Sequence, residues 1–157
     1  MLYVVAWPIL SGADDTAVRR LRAQYHPAEA ALIGPHFTLV FGAPVAREAE
    51  LRRRLAGLER RPFWFLIERI VRSDLHLFAE PAEGAAELTE LHEALNQPGG
   101  EAFEPHITLG LFARAAEAEQ VARIVERQHL PMHGRVEELA LLSRDGDRLE
   151  TLETRRL

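Results

Sequence analysis

The chain has 157 residues, 47% hydrophobic and 27% charged, with a formal net charge of −5 at pH 7, a composition typical of one folded globular unit. It has no cysteine, and all 19 basic residues are arginine, which excludes disulfides, thiolate metal sites, cysteine nucleophiles and ligases that adenylate their own lysine. The negative charge disfavours a protein that coats long nucleic acid and favours a short, locally recognised substrate.

No apolar run approaches the roughly 18 residues that a transmembrane helix needs. Residues 1–7 also lack the basic start of a secretory signal peptide. We therefore expect a cytoplasmic protein without a membrane partner, and we expect it to be a monomer.

The first half of the chain is predicted to alternate strands and helices. The predicted elements are a strand at 2–7, a helix from the N-cap Ser11 to about Tyr25, a strand at 36–42 and a helix at 46–58. Arginines cluster in both helices, at Arg19, Arg20 and Arg22 and at Arg52, Arg53 and Arg54. We expect both clusters to form solvated helix faces.

The second half mixes strands, helices and a late hairpin. The predicted elements are strands at 62–71 and 75–79, a helix at 85–95 ended by the turn Pro98-Gly99-Gly100, a strand at 104–112, a helix at 115–128 and two final strands. Asp145-Gly146-Asp147 is a strong hairpin signal between those last two strands. This order favours an α+β fold over a purely parallel α/β sheet.

The most informative feature is an internal repeat. Pro35-His36-Phe37-Thr38-Leu39 recurs as Pro105-His106-Ile107-Thr108-Leu109, and four of the five positions are identical. Both copies fall on predicted strands, which makes a chance repeat of two isolated polar pairs the weaker interpretation.

Alternate side chains of a strand share a face, so each copy presents a polar and an apolar face. The residues expected on the polar face, toward a cleft, are His36, Thr38 and Val40, and His106, Thr108 and Gly110. The residues expected in the core are Phe37, Leu39 and Phe41, and Ile107, Leu109 and Leu111. Two such faces that meet would place two imidazoles and two hydroxyls around one small volume.

This arrangement suits phosphoryl transfer by in-line displacement. One histidine would accept a proton from the attacking oxygen and the other would donate a proton to the leaving oxygen. The threonine hydroxyls would donate hydrogen bonds to the phosphate, and Gly110 would leave room beside them. No metal ion or other cofactor is expected, because the chain lacks His-Glu-x-x-His or comparable zinc spacing.

At these residues the chain resembles the two-histidine phosphoesterase superfamily, which includes the 2′-5′ RNA ligases and cyclic nucleotide phosphodiesterases and is defined by paired His-x-Thr/Ser motifs. The likeness extends over most of the chain, through the segments 21–27 and 75–78. The segment before the first motif looks closest to bacterial members with an Arg-x-x-Tyr-Asp-Pro pattern, in which His26 here takes the aspartate position.

The resemblance implies a bilobal fold with pseudo-twofold symmetry, in which duplicated antiparallel sheets with flanking helices surround a central cleft. Residues 1–157 would form a single domain of two lobes, each contributing one motif. His36 and His106 would be the acid and base, and Thr38 and Thr108 would bind the phosphate. The implied substrate partner is an RNA end or nucleotide with a 2′,3′-cyclic phosphate or 2′-5′ linkage, which would be hydrolysed or ligated.

Several other residues are weaker candidates. For His26 with Tyr25 we favour helix termination, for His76 a structural role, and for His92, His129 and His133 a surface or loop position. Most of Phe63, Trp64 and Phe65 are expected to be buried, because consecutive side chains of a strand face both ways. Arg69, Arg72, Arg135 and Arg144 lie on predicted strands or their ends and could reach a second phosphate.

The predicted function is therefore a metal-independent phosphoesterase that uses two histidines. One alternative is a non-catalytic nucleotide- or RNA-binding module, and another is a hydrolase of small-molecule or ADP-ribose cyclic phosphates. The repeat alone leaves open which histidine is the acid and which ribose oxygen leaves.

Overall fold

The computed structural model describes residues 1–96 and 102–157, so the predicted turn Pro98-Gly99-Gly100 lies outside the described residues. The strands are β1 Leu2–Leu10, β2 Phe37–Ala43, β3 Phe63–Ser73, β4 His76–Glu83, β5 Ile107–Leu111, β6 Met132–Asp145 and β7 Arg148–Arg156. The helices are α1 Gly12–Tyr25, α2 Pro27–Leu32, α3 Glu48–Ala56, α4 Ala85–Leu95 and α5 Ala115–His129, and a 3-10 turn spans Val45–Arg47.

Helix boundaries follow from capping chemistry. The Ser11 side chain accepts a hydrogen bond from the Asp14 backbone N–H at 3.3 Å, which confirms the predicted start of α1. α1 ends at Tyr25, before Pro27, which confirms the predicted end of this helix. Pro27 opens a second short helix, α2, which the sequence analysis did not predict, because the first turn of a helix tolerates the missing N–H of proline.

The seven strands form one antiparallel sheet in the order β1-β2-β5-β4-β3-β6-β7, and β6 also pairs with β1. That extra pairing lets β1 continue beyond residue 7 to Leu10, which lies opposite Gly134. The β6–β7 hairpin is confirmed, with Gly146 at a φ of +60° in its turn. The antiparallel sheet and the five helices of the described residues confirm the α+β class.

The hydrophobic core forms where helices cover the sheet, including the first motif strand β2. α4 packs against β2, and α5 packs against β3 and β4. Phe37 and Phe65 are fully buried and meet edge to face, with ring centroids 5.2 Å apart. This packing anchors the apolar side of β2 and leaves its polar side free to line a cleft.

Candidate active site

The two motif strands lie side by side in the sheet. β2 and β5 pair antiparallel with Phe37 opposite Ile107, and each histidine immediately precedes its strand. Continued by one residue, this register places His36 across from Thr108 and Thr38 across from His106 on the same face. The motif pair therefore has local twofold symmetry, whereas the division of the whole chain into two symmetric lobes stays a prediction.

The two imidazoles are held in the same way. Nδ1 of His36 donates to the Gly34 carbonyl at 2.8 Å, and Nδ1 of His106 donates to the Glu104 carbonyl at 2.8 Å. A carbonyl oxygen can only accept, so we assign the proton of each neutral ring to Nδ1. In both histidines Nε2 is then the nitrogen available to exchange a proton with a ligand.

A cleft of about 1040 Å³ lies over this face of the sheet, and all four predicted site residues, His36, Thr38, His106 and Thr108, line it. On one face of an antiparallel ladder, diagonal neighbours such as the two histidines lie about 7–8 Å apart at their backbones. A phosphate between them would have one imidazole and one hydroxyl within reach from each strand.

Arg22 connects the backbone of the second motif with the segment just before the first motif. Its guanidinium donates to the Thr108 carbonyl at 2.7 Å and to the Ile33 carbonyl at 2.9 Å, and the side chain is only 1% exposed. The prediction that Arg19, Arg20 and Arg22 form a solvated face is therefore wrong for Arg22. Burial lowers the pKa of this guanidinium, but the group keeps its charge because an arginine stays protonated in a protein.

His36 sits in the more enclosed half of the site. Burial lowers the pKa of His36 to about 4, and the positive charge of Arg22 and the nearby His106 add to that effect. The Gly34 carbonyl and Glu29 oppose it by favouring the protonated ring. The imidazole of His36 is therefore neutral at pH 7, with a free lone pair on Nε2.

The surroundings of His106 differ from those of His36. The ring of Phe78, on β4, packs against His106 with centroids 4.1 Å apart. Trp7 is the aromatic neighbour of His36, at a longer distance of 6.3 Å and edge to face. The two motifs are thus alike in backbone geometry and unlike in the groups around their imidazoles.

Both motif strands contain a β-bulge directly after the threonine. Thr38 and Val40 lie opposite adjacent residues of β1, so Leu39 is an extra residue in β2. Leu109 is the equivalent extra residue of β5 opposite β4. A bulge reverses the alternation of side chains that follow it.

Because of the bulges, the predicted faces of both strands are wrong for residues that follow the bulge. Phe41 and Leu111, expected in the core, are 82% and 41% exposed, whereas Val40, expected on the cleft face, is buried. Phe41 lines the cleft as a result. A strict alternation rule cannot reveal the bulge, because the extra residue leaves the apolar pattern of the sequence unchanged.

Side chains satisfy the backbone oxygens at these bulges. The Leu39 carbonyl accepts from Nδ1 of His92 at 2.8 Å and from the Asn96 side-chain amide at 2.9 Å. In β5, Arg22 donates to the Thr108 carbonyl. The prediction that His92 is a surface residue is therefore wrong: it is half-buried, lines the cleft and stacks on Phe103 at 4.1 Å.

Gly110 does not make room for a substrate, contrary to prediction. A Cβ at this position would lie 2.7 Å from Cβ of Tyr25 and 3.0 Å from the ring of Phe112. Those two aromatic rings stack with centroids 4.4 Å apart where α1 crosses β5. Glycine is therefore required here for helix packing, and Tyr25 has a packing role.

The remaining sequence candidates divide between the cleft and the surface. His26 and His76, for which structural roles were favoured, both line the cleft, while His133 is exposed on β6. Phe65 is buried, but Trp64 is 67% exposed beneath the guanidinium of Arg135, so the aromatic run does face both ways.

The arginines proposed for a second phosphate are paired with carboxylates. The pairs are Arg69 with Glu80, Arg72 with Glu119, Arg135 with Glu137 and Arg144 with Glu29. Among these four, Arg72 lines the cleft. The sequence could not select among them because ion pairing depends on strand register.

In the described part of the chain, no group of three or more histidine or carboxylate side chains is arranged to hold a metal ion. Within those same residues, no helix has the length and apolar character needed to cross a bilayer.

Solved structures of other proteins have folds similar to that of this chain. The structure is similar to that of E. coli LigT in its apo form, with a TM-score of 0.68 and 18% identity over 99% of this chain and 95% of that chain. LigT complexed with 3′-AMP matches with a TM-score of 0.65 and 17% identity, covering 99% and 97% of the two chains. Kluyveromyces marxianus Usb1 matches with a TM-score of 0.50 and 12% identity, covering 96% and 97%.

At these identities the structural likeness shows the fold alone, and no curated protein matches the sequence. The family model described as the 2′-5′ RNA ligase superfamily matches residues 10–148, which include both His-x-Thr motifs. This protein therefore belongs to the 2′-5′ RNA ligase superfamily.

Proposed function

We propose that the protein is a metal-independent phosphoesterase that hydrolyses, or reversibly ligates, 2′,3′-cyclic phosphate or 2′-5′ phosphodiester linkages of RNA ends or nucleotides. The observation that carries this proposal is the register of β2 and β5, with Phe37 opposite Ile107. It gives one cleft two imidazoles and two hydroxyls in a twofold arrangement, which matches the two sides of an in-line displacement.

In the proposed reaction His36 acts as the base. Its pKa of about 4 leaves Nε2 unprotonated at pH 7, so it accepts a proton from the attacking water as the new P–O bond forms. His106, in its imidazolium form, donates the Nε2 proton to the ribose oxygen as the old P–O bond breaks, and the product is a phosphomonoester. A 5′-hydroxyl in place of water would give a phosphodiester, which is ligation without ATP.

The other proposed roles concern the phosphate and the base. Thr38 and Thr108 donate hydrogen bonds to nonbridging oxygens, and the buried charge of Arg22 stabilises the negative charge that develops there. Phe41, exposed at the cleft, offers a face on which a nucleobase can stack. A nucleotide ligand is in keeping with the LigT structures, which include complexes with 3′-AMP and with ATP.

The test is turnover of nucleoside 2′,3′-cyclic monophosphates and of a short RNA with a cyclic phosphate end, in EDTA, with identification of the 2′- or 3′-phosphate product. We expect turnover by the parent protein and its loss in His36→Ala and His106→Ala, with unchanged circular dichroism and thermal unfolding. His133→Ala is the matched control, because His133 is exposed on β6 outside the cleft.

Turnover that needs added metal would contradict the mechanism, as would full activity in either histidine variant. A parent protein without turnover, whose nucleotide binding is unchanged in the double His36, His106 alanine variant, would favour a binding module instead. Turnover restricted to a small-molecule or ADP-ribose cyclic phosphate would keep the mechanism and change the substrate.

A further inference from the structure

The cleft contains a second pair of histidines outside the repeat. His26 lies at the junction of α1 and α2, and His76 is the first residue of β4. Their rings meet edge to face with centroids 6.5 Å apart, and both line the cleft. Five of the seven histidines in the chain therefore surround one cavity.

This second pair lies next to the proposed reaction centre. His76 stacks on the ring of Phe78 with centroids 5.6 Å apart, and the same ring packs against His106 at 4.1 Å. One aromatic ring thus separates His76 from the proposed acid. A group bound by the second pair would lie a short distance along the cleft wall from the reacting phosphate.

His26 carries an unsatisfied polar atom. Its Nδ1 is buried and has no hydrogen-bond partner among the described residues. A buried ring nitrogen without a partner costs free energy, so such atoms in folded proteins call for an explanation. The side chain also makes no capping hydrogen bond to either helix at the junction, so helix capping does not account for it.

Two of the arginines that line the cleft are paired with carboxylates, whereas Arg22 donates to backbone carbonyls. Arg72 is paired with Glu119, and Arg47 donates to Glu50 at 3.0 Å. The histidines differ because they gain positive charge only on protonation. They can therefore supply positive charge to an anion at the time it binds.

We propose that His26 and His76 bind a second phosphoryl group of the substrate, beside the phosphate that reacts between His36 and His106. This inference rests on the proposed function and narrows its substrate class. The preferred ligand carries a further phosphate in addition to the cyclic one, as an RNA end or a 5′-phosphorylated nucleotide does, and a nucleoside cyclic monophosphate is the poorer ligand.

The charges around His26 predict proton uptake when this ligand binds. Burial lowers the pKa of His26, the Glu29 carboxylate opposes this effect, and the nearby Arg22, His76 and Arg144 lower the pKa further. Without a bound anion, His26 is therefore neutral near pH 7. A phosphoryl dianion favours the imidazolium, so binding raises that pKa and takes a proton from the buffer.

The test compares adenosine 3′-monophosphate with adenosine 3′,5′-bisphosphate by isothermal titration calorimetry in buffers of different ionisation enthalpy. We expect the parent protein to bind the bisphosphate about tenfold more tightly or better, because hydrogen bonds between an imidazolium and a phosphate are charge-assisted. Only the bisphosphate is expected to show the additional proton uptake.

Two variants probe the pair separately. His76→Phe keeps a ring against Phe78 and removes the charge, and His26→Asn keeps a polar side chain at the helix junction. Each is expected to reduce the preference for the bisphosphate to about twofold or less, whereas His133→Ala is expected to keep the full preference. Equal binding of both ligands by the parent protein, or an unchanged preference in both variants, would overturn the inference.

A separate assay of 2′,3′-cyclic AMP turnover distinguishes this inference from the proposed function. Turnover that depends on His36, without any preference for the bisphosphate, would contradict the second subsite and leave the proposed reaction unaffected. A bisphosphate preference that depends on His26 and His76, without turnover of any cyclic phosphate, would support the subsite and contradict the proposed reaction.

Discussion

The two His-x-Thr motifs have the same local structure. Each imidazole donates from Nδ1 to the carbonyl two residues before it, at 2.8 Å in both copies. Each strand bulges at the leucine after the threonine. The repeated sequence thus produces repeated backbone geometry, and either histidine could serve as acid or base on that ground alone.

The surroundings of the two motifs distinguish them. His36 lies close to the buried charge of Arg22, and desolvation with that charge lowers the pKa of His36 to about 4. His106 lies in the open part of the cleft against Phe78. The short-range sequence therefore sets the orientation of each imidazole, whereas residues distant in the sequence determine its surroundings.

Removing either imidazole should have the largest effect. We expect His36→Ala and His106→Ala each to lower kcat about 10²–10⁴-fold, the range that a positioned acid or base contributes. The double variant should lose little more than the worse single variant, because two groups that act in one step are not additive. Steady-state kinetics in EDTA checks this, and independent, multiplicative losses would contradict concerted action.

Replacing Arg22 should make the electrostatic surroundings of the two motifs more alike, because it removes the buried positive charge near His36. Arg22→Met leaves the Thr108 and Ile33 carbonyls without their donor, and we expect the free energy of unfolding to fall by about 2–4 kcal/mol. The pKa of His36 should rise because a nearby positive charge is lost. Denaturant unfolding and NMR titration measure the two effects, and Arg20→Met, an exposed arginine on the same helix, is the control.

An unchanged His36 pKa in Arg22→Met would show that desolvation alone produces the shift. An unchanged stability would mean that water satisfies the two carbonyls, and it would remove the role of Arg22 in joining the motifs.

Gly110 tests a position at which the two copies differ, since the first motif has the buried Val40 there. Gly110→Ala places a Cβ 2.7 Å from Cβ of Tyr25. We expect a loss of about 1–3 kcal/mol in the free energy of unfolding from this overpacking. Gly12→Ala is the matched control, because a Cβ there meets nothing within 4 Å, and equal stabilities of the two variants would contradict the packing role.

The smallest effects are expected where the bulges turn side chains outward. Phe41→Ala and Leu111→Ala should each change the free energy of unfolding by less than about 0.5 kcal/mol, since both side chains are exposed. Phe41→Ala should raise KM for nucleotides, because stacking of a base on an aromatic side chain contributes about 1–3 kcal/mol to binding. A large loss of stability in Phe41→Ala would restore the original assignment of Phe41 to the core.

Features that local sequence patterns encode could be predicted from the sequence. The repeat predicted that His36, Thr38, His106 and Thr108 meet in one cleft, and the structure places all four there. The Ser11 cap and the Asp145-Gly146-Asp147 hairpin were predicted from side-chain chemistry that acts over a few residues.

The features that could not be predicted from the sequence depend on backbone contacts between residues that are far apart in the chain. Arg22 binds two main-chain carbonyls, which leave no side-chain signal in the sequence to pair with it. The bulges are revealed only by the partner strands, so Phe41 was assigned to the wrong face. His76 reaches the cleft because β4 pairs with β5, where it lies opposite Leu111.

The most direct test of paired-histidine catalysis is the pH dependence of kcat/KM for a nucleoside 2′,3′-cyclic phosphate in EDTA, from about pH 3.5 to 9. This ratio reports the ionisation of the free enzyme. The base must be neutral, so activity should fall as pH drops through about 4, the pKa of His36, and at higher pH it should fall again as the acid loses its proton. An acid limb near the ordinary histidine value of about 6.5, or no turnover without metal, would contradict the assignment of His36 as the base.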